Sequence, residues 1–278
     1  MNAGPDQAAG PDGRGGTGTP LVEARALAKA YGHVQALREV RLAVWPGEII
    51  GLIGDNGAGK STLIRILSGV DQPDAGDLLI GGKPAALSSP QAAQRAGIET
   101  VYQDLSLGLH LDAAANVFMG RELLRRGPLG WVGVLDRRTM RARARARLVE
   151  LGATIADERA PVMSLSGGQR QTVAIARAVT WAHRLILLDE PAASLGVAQR
   201  ERLHATIGRI RERGLAVIYV SHSMPDVLQV CDRVHVLRLG RTVADLPAAS
   251  ATTELLVAAM TGATELTSEP KPAEGSRP

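Results

Sequence analysis

Short apolar runs recur along the chain with the length and β-branched content of buried strands. They fall at residues 40–44 (VRLAV), 48–54 (EIIGLIG), 77–80 (DLLI), 185–188 (LILL), 216–220 (AVIYV) and 233–237 (RVHVL). Gly81–Gly82 and Leu239–Gly240 stand where hairpin turns would reverse the chain. Helical patterns follow Gly59, Gly168, Gly196 and Met224, so strands alternate with helices. That alternation predicts an α/β fold with a mainly parallel sheet and antiparallel hairpins near the N-terminus. Residues 105–178, roughly, carry much helix signal and little strand signal. Within them Met140, Ala144, Leu148 and Leu151 share one stripe, flanked by Arg141 and Arg145 on one side and Arg143 and Arg147 on the other. These arginines read as the solvated side of an amphipathic helix. Contact with anionic lipid headgroups is the less favoured reading, because the basic face is not continuous. No internal repeat is visible, so the chain holds one unit rather than two.

Composition narrows the classes. The 278 residues, 45% hydrophobic and 22% charged, suffice for one large globular domain or two small ones. Aromatics make up only 3%, which argues against stacking platforms for single-stranded nucleic acid, and no nucleic-acid partner is expected. The net charge of +4 comes from scattered arginine and permits an anionic partner without identifying one. Cys231, the one cysteine, excludes an internal disulfide, fits a reducing compartment and reads as a small buried hydrophobe. Residues 1–20 and 264–278 read as disordered tails around a folded unit at 21–263. No stretch reaches the ~18 consecutive apolar residues of a membrane span. The chain is expected to be cytoplasmic and to meet a membrane only through a partner.

The strongest motif is GDNGAGKST, which fits G-x-x-x-x-G-K-[ST], follows a predicted strand and opens a predicted helix. Gly54, Asp55, Asn56, Gly57, Ala58 and Gly59 form the loop. Gly57 and Gly59 let backbone N–H groups turn toward a polyphosphate, and the helix N-terminus adds partial positive charge. Lys60 can reach the β- and γ-phosphates, Ser61 can ligate Mg²⁺, and Thr62 can bond a phosphate oxygen. This is a nucleoside triphosphate site. It gives meaning to LILLDEPAASLGV, residues 185–197. A strand beside the phosphate loop would set Asp189 near the Mg²⁺ position, while Glu190 could polarise an attacking water and Pro191 stops the strand.

LSGGQRQ, residues 165–171, opens another helix ahead of that strand. With all three motifs in this order, the chain resembles the ATP-binding subunit of ABC transporters across about residues 21–262. The resemblance implies a P-loop NTPase cassette with an N-terminal antiparallel β subdomain and an inserted helical subdomain at about 105–178. It adds Tyr31 as an adenine-stacking residue. It makes Gln103 a Mg²⁺-touching residue of the loop that links the site to a transmembrane partner. His222 becomes a residue that bonds the γ-phosphate. It also implies a composite site, in which Ser166, Gly167, Gly168 and Gln169 of one cassette cover ATP held by another. One cassette per chain then implies a dimer, with itself or a similar partner. Many cassettes carry aspartate where this chain has Gly196, which puts communication across the dimer in question but not the hydrolytic residues. Single-cassette subunits of monosaccharide importers commonly share the glycine. They also resemble VYQDLSL, NVFMGREL, SHSMPDV and the late MTGA. The reading is an ATPase subunit of a sugar importer on the inner face of the plasma membrane. Its partners would be permease chains and an extracytoplasmic sugar-binding protein. Alternatives are a cassette for another imported or exported substrate and a soluble non-transport ABC protein.

Overall fold

The computed structural model describes residues 18–153, 155 and 157–263, so the expected tails lie outside the described residues apart from 18–20. The chain opens with β1 (Val22–Tyr31) and β2 (Val34–Val44), then crosses to β3 (Ile49–Ile53) and α1 (Lys60–Leu67). It returns as β4 (Ala75–Ile80) and β5 (Lys83–Pro84), followed by α2 (Pro90–Arg95) and β6 (Ile98–Val101). Next come α3 (Ala113–Val117), the single turn α4 (Pro128–Trp131), α5 (Arg137–Glu150) and α6 (Gly167–Trp181). The last third holds β7 (Leu185–Asp189), α7 (Val197–Glu212), β8 (Ala216–Val220), α8 (Met224–Val230), β9 (Arg233–Arg238), β10 (Arg241–Pro247) and α9 (Thr253–Thr261).

Two sheets result. An antiparallel sheet has the order β2-β1-β4-β5, and a second has the order β10-β9-β3-β8-β7-β6, parallel except for β10 at its edge. The parallel strands read as unbroken apolar runs because both faces are covered. Ile50, Leu52, Ile218 and Val220 pack toward α1 and the antiparallel sheet, whereas Ile49, Ile53, Val217 and Tyr219 pack with α6 and α7. Period-two alternation thus divides each run between two cores.

Both expected turns reverse the chain. Gly81–Gly82 and Leu239–Gly240 each place two successive residues at positive φ, the conformation whose twist matches a hairpin. The strands β1, β5, β6 and β10 lie beyond the runs named above. In β1, Ala26 sits at φ +52 and the register with β2 shifts three times, so bulges break the alternation that signals a strand. β6 is four residues long and carries the buried Glu99, ion-paired to Arg121 at 2.8 Å. The arginine flanks of α5 are less solvated than their pattern suggests. Arg141 is half-buried against Asp112, Arg145 pairs with Glu158, and Arg147 pairs with Glu150; Arg143 stays exposed. Cys231 is buried, which pushes its thiol well above the ordinary range and leaves it inert. Among the described residues, no helix is long and apolar enough to cross a membrane.

Candidate nucleotide site

Four loops leave the parallel sheet at the carboxyl ends of adjacent strands. The register sets Leu52 and Asp189 both opposite Val220, and Leu188 opposite Val101, so the strands end at one level. The loops after β3, β6, β7 and β8 therefore open on one edge, where α/β sheets present their ligand sites. They enclose a cleft of about 500 Å³ lined by residues 56–62, Gln103, Asp189, Glu190 and His222, with Val34, Gln35 and Ala36 from the start of β2.

The phosphate loop needs its glycines. Gly57 and Gly59 stand at φ +79 and +106, and a Cβ on Gly59 would lie 2.6 Å from the Ala36 carbonyl oxygen. Gly59 is the N-cap of α1, whose first turn carries no acidic residue, so the helix's positive end is uncompensated. Lys60 is buried, and its Nζ donates to the carbonyls of Gly54 (2.6 Å) and Asp55 (3.1 Å), which curls the loop around the ammonium. Burial lowers the Lys60 pKa against the pull of Glu190, Asp55 and Asp189. The same burial, reinforced by Glu190, raises the Asp189 carboxyl, with Lys60 and His222 opposing. Two adjacent carboxylates and a phosphate-seeking lysine thus share a half-buried space.

Glu190 is held in an uncommon conformation. It sits at φ +49, a left-handed position that costs a non-glycine residue about 1–2 kcal/mol. Its N–H extends the β7–β8 ladder to the Val220 carbonyl (3.1 Å), and its own carbonyl accepts from Ala193 (3.2 Å). The side-chain Oε1 meets His222 Nε2 at 2.5 Å. His222 lies between two serines that pin the loop. The Ser223 N–H donates to Ser221 Oγ at 3.1 Å, and Ser223 Oγ caps α8 through the Asp226 N–H.

The structure does not bring every sequence-chosen residue here. Gly54 and Asp55 stand behind the lining and serve Lys60. Tyr31 is 44% exposed and outside the lining; its hydroxyl donates to Asp71, which also accepts from Arg65 at 2.7 Å. Arg65 first, then Tyr31, holds the Asp71 carboxyl down at about 2. The LSGGQ segment is elsewhere too. Ser166 Oγ accepts from the Gln169 N–H (3.3 Å) while Gln169 Oε1 accepts from the Ser166 N–H (2.9 Å), a reciprocal cap on α6. A Cβ on Gly167 would meet nothing within 4 Å, so this face is open. Sequence reasoning passed over two residues that support these loops. Arg177 donates to the carbonyls of Leu105 and Ser106 behind Gln103, and Gln199 accepts from the Gly196 N–H at 2.7 Å. Both grip backbone atoms, which any sequence presents, so no motif marks them.

A glycine-rich loop joining a central parallel strand to a helix, with an acidic pair closing a nearby strand, defines a P-loop nucleotide-binding cassette. The chain belongs to the ABC transporter family, which matches residues 37–193. It is 46% identical over 248 residues to the fructose import ATP-binding protein FrcA of Rhizobium meliloti, spanning 88% of this chain and 95% of that one. It is 44% identical to the ribose import ATP-binding protein RbsA 1 of Burkholderia cenocepacia (strain HI2424), covering 87% of this chain but only 47% of that longer protein. Among solved structures, the cbiO1 component of the Clostridium perfringens ABC transporter complex cbiONQ superposes with a TM-score of 0.71 at 25% identity, over 86% of this chain and 93% of that one. A dimeric ATP-binding cassette in a post-hydrolysis state, bound to ADP and phosphate, gives 0.69 at 26% identity, over 82% and 98% of the two chains.

Proposed function

We propose that this chain is the ATP-hydrolysing subunit that powers sugar import through a membrane permease. One observation carries the reading: 46% identity to a fructose import ATP-binding protein along 95% of that protein's length. The working unit is a pair of cassettes, each formed by about residues 21–263, most simply two copies of this chain. Permease chains hold the pair at the inner face of the membrane, and an extracytoplasmic binding protein delivers the sugar.

In this reading, the backbone of residues 54–59 and the start of α1 hold the triphosphate, with Lys60 on the β- and γ-phosphates and Thr62 on a phosphate oxygen. Ser61, Gln103 and Asp189 line one cleft and offer only oxygen donors, a set that suits a hard divalent cation completed by phosphate and water. Mg²⁺ bound there would neutralise phosphate charge. Glu190 accepts a proton from the attacking water, and His222, already 2.5 Å from it, orients that carboxylate and faces the γ-phosphate. Tyr31, once released from Asp71, stacks on adenine. Ser166, Gly167, Gly168 and Gln169 of the partner cassette close over the nucleotide.

The test is reconstitution with the copurifying permease. ATP hydrolysis should rise when one particular sugar-loaded binding protein is added. A cassette that ignores every loaded binding protein and cosediments with ribosomes instead would overturn the assignment.

A further inference from the structure

Residues 121–138 leave the helical region as a projecting hairpin. Leu124 bridges Leu135, the Arg125 N–H donates to the Val134 carbonyl at 2.9 Å, and the Asp136 N–H donates to that of Leu123 at 2.7 Å. The turn α4 forms the tip. There Trp131 is 91% exposed and Val132 76%, the highest values for large apolar side chains among the described residues. Leu124 is exposed at the neck. Arg125, Arg126, Arg137 and Arg138 surround this surface, all exposed, and none has a carboxylate within salt-bridge distance among the described residues. Of the two acids in the hairpin, Asp136 caps α5 through Thr139 and feels the charges of Arg125 and Arg138 without a salt-bridge contact to either, and Glu122 accepts from the Gly120 N–H.

A protruding indole among exposed guanidinium groups has the chemistry of an interfacial anchor. Tryptophan settles at the headgroup level of a bilayer, and nearby cations are drawn to anionic lipid phosphates. A protein partner fits less well. Cytoplasmic loops of membrane proteins are themselves rich in lysine and arginine, which would repel this surface. We propose that the 121–138 hairpin anchors the chain to an anionic membrane surface. Trp131 and Val132 enter the headgroup layer while Arg125, Arg126, Arg137 and Arg138 pair with lipid phosphates. The biological setting rests on the transport reading, but the binding itself is a property of this chain alone.

The experiment uses the full chain with vesicles of phosphatidylcholine, or of phosphatidylcholine and phosphatidylglycerol in equal parts. Cosedimentation should occur with the anionic vesicles only and weaken as salt rises. The emission of Trp131 should shift to the blue. Trp45 and Trp181 also emit, so the difference from Trp131→Ala isolates the signal. Arg125→Glu with Arg126→Glu should lower the partition coefficient at least about 25-fold, at about fivefold per lost cation. ATP binding and basal hydrolysis should stay unchanged in both variants. Absence of binding to anionic vesicles, or equal binding by the variants, overturns the anchor. So does a variant that keeps vesicle binding and loses the permease, since the hairpin would then be a protein contact. Failure of the transport reading looks different: vesicle binding persists while no sugar-loaded binding protein stimulates hydrolysis.

Discussion

Gly196→Asp restores the residue that many cassettes carry after the acidic strand, and its cost follows from three local terms. Gly196 is the N-cap of α7 at φ −71 and ψ 170, a conformation open to any residue, so no backbone strain arises. A Cβ there would stand 2.8 Å from Gln199 Oε1, the atom that accepts from the Gly196 N–H. Gln199 must swing away, which forfeits a hydrogen bond worth about 1 kcal/mol. In return the aspartate caps α7, a gain of a few tenths over glycine. Its charge at the helix N-terminus adds about 0.3–1 kcal/mol. The terms cancel to within about 1 kcal/mol. Urea unfolding should therefore show nearly unchanged stability and an unchanged slope. Hydrolysis should persist, because Lys60, Glu190 and His222 line the cleft and Gly196 does not. Gln199→Leu loses the same bond without adding a carboxylate, so it should be the more destabilising change. A loss above about 2 kcal/mol in Gly196→Asp would contradict the claim that only a flexible side chain stands in the way. Lost hydrolysis in a stably folded variant would make the glycine a requirement.

Three further outcomes test the charged groups. Glu190→Gln should retain ATP binding, accumulate an ATP-bound dimer on size exclusion and lower phosphate release by about 10²–10⁴-fold; unchanged turnover removes Glu190 from its role. Asp189→Asn should raise the melting temperature of the nucleotide-free protein at neutral pH while weakening Mg²⁺-dependent ATP binding. The Asp189 carboxyl is raised by burial and by Glu190, so the folded chain keeps this proton to higher pH than the unfolded chain does. Its ionised form therefore costs stability above the ordinary carboxylate range, and acidification relieves that cost. Asp245 behaves oppositely. Burial alone would raise it, but the hydrogen bonds and charges of His235 and Arg233 outweigh that and hold it low. Its stabilisation is present above the ordinary carboxylate range and is lost as pH falls through the lowered value. Arg233→Met leaves the buried Glu48 without its cation and the half-buried Asp245 with His235 alone, and urea unfolding at neutral pH should show a loss of about 3–5 kcal/mol.

Which parts were legible in the sequence depended on whether the physics was local. The strands β3, β7, β8 and β9 declare themselves because burial on both faces leaves uninterrupted apolar runs. The Gly81–Gly82 turn is visible because left-handed backbone selects glycine; the second turn shows itself through Gly240 alone, since Leu239 takes φ +47 as a non-glycine residue. The phosphate loop is visible for a related reason, since its tight path excludes Cβ atoms. β1 was hidden by its bulges, and β6 by its brevity and its buried Glu99. The supporting residues were hidden by chemistry. Asp71 holds the Tyr31 hydroxyl from 40 positions away, and Arg177 reaches the Leu105 carbonyl across 72. Such pairings depend on the completed fold, and one partner is often a backbone carbonyl that leaves no trace in composition.

The signature segment shows why a residue can be recognised in sequence yet lie outside its own chain's cleft. Ser166 uses its oxygen as the acceptor that closes the cap on α6, but a serine hydroxyl also carries one donor proton. That donor, together with the unobstructed side of Gly167, is free to meet an anion brought from outside. The helix behind it runs for 15 residues and is rigidly packed, with Val173, Ala174 and Ala176 fully buried. The segment cannot fold back to the cleft of its own chain without unpacking α6 from the core. In the proposed reading, Ser166 meets a phosphate held by Lys60 of a second copy. In that reading, hydrolysis is thereby made conditional on pairing. Glu190 and His222 stand ready in each chain, and the donors that complete the site arrive with the second copy.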